Sequence, residues 1–114
     1  MRRVTIDVAS LDQTLADFKR AWKTGEYQGE FISFDSVETL LKALTVKRWD
    51  IVHVLQQEGA MTIRALARRL NRDVKNVHAD VQALMEIGLI VKEGRKITVP
   101  FDEIRAGFVI KKAA

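Results

Sequence analysis

Five cations crowd into residues 64–79: Arg64, Arg68, Arg69, Arg72 and Lys75, against a single acid, Asp73. The formal charge of all 114 residues is +4, so the rest of the chain nearly cancels. Such a concentration suits phosphate neutralisation better than general solubility. Interleaved with the cations are Asn76 and Gln82. Their amides can hydrogen-bond an adenine edge in two places, and Lys75 can reach guanine or a phosphate. Ala79 and Ala83 add no bulk, which lets a helix lie close to base edges or a thymine methyl. Arginine and lysine also populate any exposed helix, so the elements that carry these residues decide the reading.

Two helices and a turn carry them. Ile63, Leu66, Ala67 and Leu70 recur at helical spacing and predict a helix over 62–71. Asn71-Arg72-Asp73 forms a tight turn, and the Asp73 carboxylate suits the cap of the next helix. That helix runs over 74–87, with Gly88 as its left-handed stop. Val74, Val77, Val81, Leu84 and Met85 make its core stripe; Lys75, Asn76, Ala79, Ala83 and Glu86 make the opposite face. Gln82 and His78 lie on one flank and Asp80 on the other. Arg64 and Arg68 stand one turn apart on the exposed side of the first helix. Arg72 projects near the polar face of the second.

A hairpin follows. Leu89-Ile90-Val91 and Ile97-Thr98-Val99 read as its strands, Gly94 supplies the positive φ of the tight loop, and Arg95 and Lys96 stand at or near the tip. Helix, turn, helix and cationic hairpin together are the pattern of a winged helix-turn-helix. Its second helix enters the major groove of double-stranded DNA while the hairpin reaches phosphate or the minor groove. On this reading Lys75, Asn76 and Gln82 read bases, with Ala79 close to the groove floor. Arg64, Arg68, Arg69, Arg72, Arg95 and Lys96 complete the DNA-facing set, mostly as phosphate contacts.

The flanks predict further elements. Val4, Ile6 and Val8 alternate in a strand over 3–8. Ser10-Leu11-Asp12-Gln13 is a capping-box pattern, and Leu11, Leu15, Phe18 and Trp22 give a helix that Gly25 ends. A second strand spans 28–34. Asp35-Ser36-Val37-Glu38 opens another helix, and Thr45 caps the next, over 46–58, which Gly59 stops. Trp49, Val52 and Leu55 are expected to pack under the helix pair, and a last strand is expected within 102–110. The fold class expected is α+β: one domain over 1–114, with a strand-helix-strand extension in 1–35, the winged helix in 36–99, and a strand and tail in 100–114. Phe18, Trp22, Phe31, Phe34 and Phe108 put most of the aromatic content into the flanks. They are read as a second small core or as a dimer or partner surface, where aromatics are enriched.

Several classes are excluded. There is no cysteine, hence no disulfide, thiolate metal site or cysteine nucleophile, which suits a reducing cytoplasm. No apolar run is long enough to span a membrane, and no secretory signal is evident. His53 reads as solvated and His78 as packed beside the core stripe; neither has metal-ligand spacing. No phosphate-binding glycine loop or nucleophile motif is present. Neither an enzyme nor a cofactor is expected.

The whole chain resembles short winged-helix regulators of archaea and bacteria related to the MarR class. The resemblance rests on Leu44-Thr45-Val46-Lys47-Arg48, Ile63-Arg64-Ala65-Leu66-Ala67, the run from Asn71 to Val81, the stretch from Leu84 to Ile90, and Pro100-Phe101-Asp102-Glu103-Ile104. It implies a DNA-binding regulator, and the DNA-binding reading itself leads to the expectation of a repressor that works as a homodimer, two recognition helices reading successive major grooves. Some similar proteins look like antitoxins, which implies a toxin protein as a second partner. Where relatives often carry a larger polar or basic residue this chain has Ala79, which implies a different site preference or a lower affinity.

Overall fold

The computed structural model describes residues 1–9 and 29–112. In chain order the described elements are β1 (Arg3–Val8), β2 (Glu30–Phe34), α1 (Val37–Ala43), α2 (Val46–Glu58), α3 (Ile63–Leu70), α4 (Val74–Glu86), β3 (Val91–Glu93), β4 (Lys96–Thr98) and β5 (Glu103–Ala106). The helix expected from Ser10 to Gly25, with Phe18 and Trp22, lies outside the described residues.

Each described helix starts where a side-chain oxygen can take up a free backbone N–H. Ser36 accepts from Thr39, Thr45 from Arg48, Thr62 from Ala65, and Asp73 from both Lys75 and Asn76. Three of the described helix stops have positive φ, Gly59 after α2 among them. Asn71 ends α3 in the left-handed region at φ 54°, and Gly88 follows α4 at φ 91°, where an L side chain would be strained. The three-residue turn 71–73 thus begins with a left-handed cap and finishes with an N-cap. α3, this turn, α4 and the β3–β4 hairpin make a winged helix-turn-helix.

The hairpin differs from the expected one. Leu89 and Ile90 are buried and lie outside the strands; pairing begins at Val91 and joins Val91 to Thr98, Lys92 to Ile97 and Glu93 to Lys96. The apolar run at 89–90 serves to plug the core, and the strands are the more polar residues after it. The tip is therefore two residues, Gly94 and Arg95, with Gly94 at φ 64° in the first position of a glycine-first hairpin turn. Lys96 belongs to β4. Met61, just before α3, exchanges backbone hydrogen bonds with Ile97 at 3.1 and 2.8 Å, tying the wing to the helix pair.

β1 is the middle strand of a parallel sheet of order β2-β1-β5. Its register puts Val4, Ile6 and Val8 in line with Ile32, Phe34 and Ile104 on one face. Val4 and Ile6 are fully buried there, in one cluster with Ile51, Leu55, Leu66, Val77, Val81 and Leu84. Val52 and Leu55 are buried under the helix pair and Trp49 is half-buried, as the spacing predicts. The last strand, Glu103–Ala106, lies within the expected stretch 102–110.

Two expectations on α4 are corrected. Val74 is 44% exposed: directly after the cap it precedes the stripe that begins at Val77. His78 is exposed, not packed, because the buried face passes through its neighbour Val77. Phe34, read as second core or as partner surface, is buried opposite Val8, on the inward side of the sheet, and so belongs to the core.

Candidate nucleic-acid interface

α4 is held from behind and bare in front. Val77, Val81 and Leu84 are each 0% exposed, and burying a side chain of that kind contributes roughly 1.5–3 kcal/mol. They fix the helix's rotation, so Lys75, Asn76, Ala79 and Gln82 all face solvent. The Asp73 carboxylate accepts from Lys75 N at 2.8 Å and Asn76 N at 3.4 Å, which fixes the first turn from which both side chains project.

The cations fall into two groups. Arg64, Arg68, Lys75, Arg95 and Lys96 are exposed and make no ion pair among the described residues. Arg69 and Arg72 are engaged. Arg69 pairs with Glu58 of α2 at 2.9 Å. Arg72 lies 2.7 Å from Asp80 and has only 19% of its side chain exposed, so it braces the turn and is not a free phosphate ligand. Asp80 also receives Arg48 of α2 at 3.0 Å. Arg48 in turn donates to the carbonyl of Ala43 at the end of α1. Burial raises the Asp80 pKa, but the hydrogen bonds from Arg72 and Arg48 outweigh it and hold the carboxyl below its usual range. The Asp80 charge on α4, which would repel phosphate, is thereby neutralised from within.

Sequence reasoning missed Lys47. An open groove of about 460 Å³ lies where the start of α2 meets α4, lined by Thr45, Lys47, Arg72, Asp73, Asn76, Ala79 and Asp80. Lys47 is exposed in the first turn of α2 and brings a further cation to the wall that Asn76 and Ala79 share. Its signal in the sequence is a lysine two residues after a threonine cap, but without the helix packing nothing connects it to α4. Arg48 and Asp80 were missed as a pair for the same reason.

The aromatic surface divides. Phe31 is 47% and Phe108 41% exposed, while Phe34 is core. Among the described residues no group of histidines and acids could hold a metal ion, and no helix is long and apolar enough to cross a membrane.

A bare, cation-flanked second helix beside a wing defines the class as a winged helix-turn-helix protein. The chain belongs to the HVO_A0114 family, whose model matches residues 43–106, from the end of α1 through β5. A comparison with curated proteins gives no match. Among solved structures the chain is similar to the homodimeric winged helix-turn-helix DNA-binding domain (fragment 1-100) of Mb0332 from Mycobacterium bovis, titled a possible ArsR-family transcriptional regulator. The two are 22% identical, with 80% of this chain and 73% of that chain covered and a TM-score of 0.47.

Proposed function

We propose that this protein is a sequence-specific double-stranded-DNA-binding transcriptional regulator, a MarR-like repressor that acts as a dimer and blocks a promoter by occupying it. α4 enters the major groove. Lys75, Asn76 and Gln82 read base edges, and Ala79 allows close approach. Arg64, Arg68, Lys47, Arg95 and Lys96 hold phosphates. One observation carries the reading: the outward face of α4 has no internal partner among the described residues, while the one acid in its middle, Asp80, is locked to Arg48 and Arg72. A helix serving only as domain surface has no need for its acid to be neutralised by two arginines from elsewhere.

The test is binding of the purified protein to its own upstream DNA and to a scrambled duplex, followed by fluorescence anisotropy across a salt series. Binding to the upstream duplex that persists near physiological salt, while the scrambled duplex is lost, supports a specific regulator, and the slope counts phosphate contacts. Equal, weak and salt-sensitive binding to both would reduce α4 to a basic surface and overturn the proposal.

A further inference from the structure

The sheet ends in an unfinished edge. β5 pairs with β1 on one side, and no described strand lies on its other side. The backbone N–H groups of Glu103 and Gly107 donate to Arg2 and Ile6 of the β1 side. Alternation along a strand then turns the N–H and C=O groups of Ile104 and Ala106 to the open edge. Beyond β5, Phe108, Val109 and Ile110 are 41%, 78% and 79% exposed. An unpaired edge beside exposed apolar residues is a template for another strand.

The charges on this edge are complementary to themselves. Glu103 and Arg105 flank Ile104 and share the sheet's outer face. Glu103 is paired there with Arg3 at 2.8 Å and Arg105 at 2.9 Å, and these arginines, Arg105 foremost, hold its carboxyl below the usual range. We infer that β5 is a dimerisation strand: it pairs antiparallel with β5 of a second copy across a two-fold axis at Ile104, making one six-stranded sheet. In that register Ile104 meets Ile104 of the second copy on the inner face, and each Glu103 stands opposite the other chain's Arg105. The outer face then runs Arg3, Glu103, and Arg105 of the second copy, with alternating sign. Sliding the axis by one residue to Arg105 would set the two arginines against each other. A two-fold arrangement also closes the assembly, whereas β5 pairing with a second copy's β2 would propagate. The inference does not depend on DNA binding, because it is tested without DNA.

The experiment is sedimentation of the full chain over a range of concentrations. The wild-type chain is expected to dimerise. Arg105→Glu places two acids opposite each other twice, and Glu103→Arg places two cations so; each should weaken the dimer roughly tenfold or more. Mixing the two variants restores opposite charges at both positions and should recover a heterodimer, a readout that a merely structural role of these residues would not give. Ala106→Pro gives a second route. It removes an N–H aimed at the open edge while Arg105 and Gly107 keep their bonds to β1. It should abolish dimerisation with an unchanged far-UV circular dichroism spectrum. A monomeric wild-type chain, a dimer indifferent to Arg105→Glu and Ala106→Pro, or charge variants that stay apart when mixed would each overturn the inference.

Discussion

Arg72, in the turn between the two helices, places its Nη2 2.7 Å from the Asp80 carboxylate two turns into α4. Arg48 reaches the same carboxylate from α2, so three segments meet on one acid. All three side chains are no more than 24% exposed, where removing the acid strands two guanidinium groups away from bulk water. Asp80→Ala should therefore destabilise the fold by about 1–3 kcal/mol, read as a lower urea midpoint at unchanged m. A midpoint shift below ~0.5 kcal/mol would show the pairs to be ordinary surface contacts.

The same carboxylate gives a pH dependence of definite sign. Its folded pKa is depressed, so its contribution is fully present above the unfolded value of ~3.9 and is lost as pH falls through the folded value. Near neutral pH the gap in stability between wild type and Asp80→Ala should be constant. It should close in the acid range below pH ~4, as protonation makes the wild type resemble the variant. Urea titrations of both proteins at stepped pH measure this; a gap that closes instead near pH ~6.5 would point to a histidine.

Arg68 and Arg72 lie one turn of chain apart and should behave oppositely. Arg68 is exposed and makes no ion pair among the described residues, so Arg68→Ala should leave stability within ~0.5 kcal/mol of wild type. It should weaken binding to every duplex alike, with a salt slope lower by roughly 1. Arg72→Ala should lower stability by about 1–2 kcal/mol and leave the salt slope where it was. If both substitutions changed the slope equally, Arg72 would be a phosphate ligand after all.

Base reading is separable from both. Asn76 is capped in place by Asp73 and faces the groove beside Lys47. Asn76→Ala should cost ~1–3 kcal/mol on a matched site and much less on a scrambled one. Competition anisotropy with the two duplexes gives the ratio directly, and equal losses on both would remove Asn76 from the base-reading set.

What could be read in advance follows from the range of the physics. The caps at Thr45 and Asp73, the stop at Gly88 and the stripe Val77, Val81, Leu84 are local signals, because cap and period lie within a few residues of each other. The hairpin register slipped because Leu89 and Ile90 are apolar enough for a strand, yet their burial in the core sets where the strands begin. The Arg48–Asp80 pair, the groove at Lys47 and the parallel pairing of β1 with both β2 and β5 join residues 26 to 100 positions apart, and the Arg72–Asp80 pair, only 8 apart, depends on how the turn packs against α4. Composition and periodicity hold no record of such contacts. Arg72 shows the consequence: by type and position it belongs with Arg68, and only the partner at Asp80 distinguishes them.

Asp73 couples stability to the shape of the reading face. Its carboxylate accepts from two N–H groups that α4 cannot satisfy itself, and loss of such a cap costs about 0.5–2 kcal/mol. Asp73→Ala should lower the urea midpoint accordingly, and Asp73→Ser, which keeps an acceptor, should recover most of it. The first turn carries Lys75 and Asn76, so fraying there costs discrimination as well as stability. At a temperature where Asp73→Ala is still fully folded, its preference for upstream over scrambled DNA should fall, although removing a negative charge near phosphate by itself favours binding. Recovery of that preference by Asp73→Ser would assign the effect to the cap. If preference stayed intact in Asp73→Ala while stability dropped, the first turn would be formed by the DNA itself, and Asp73 would serve the free protein alone.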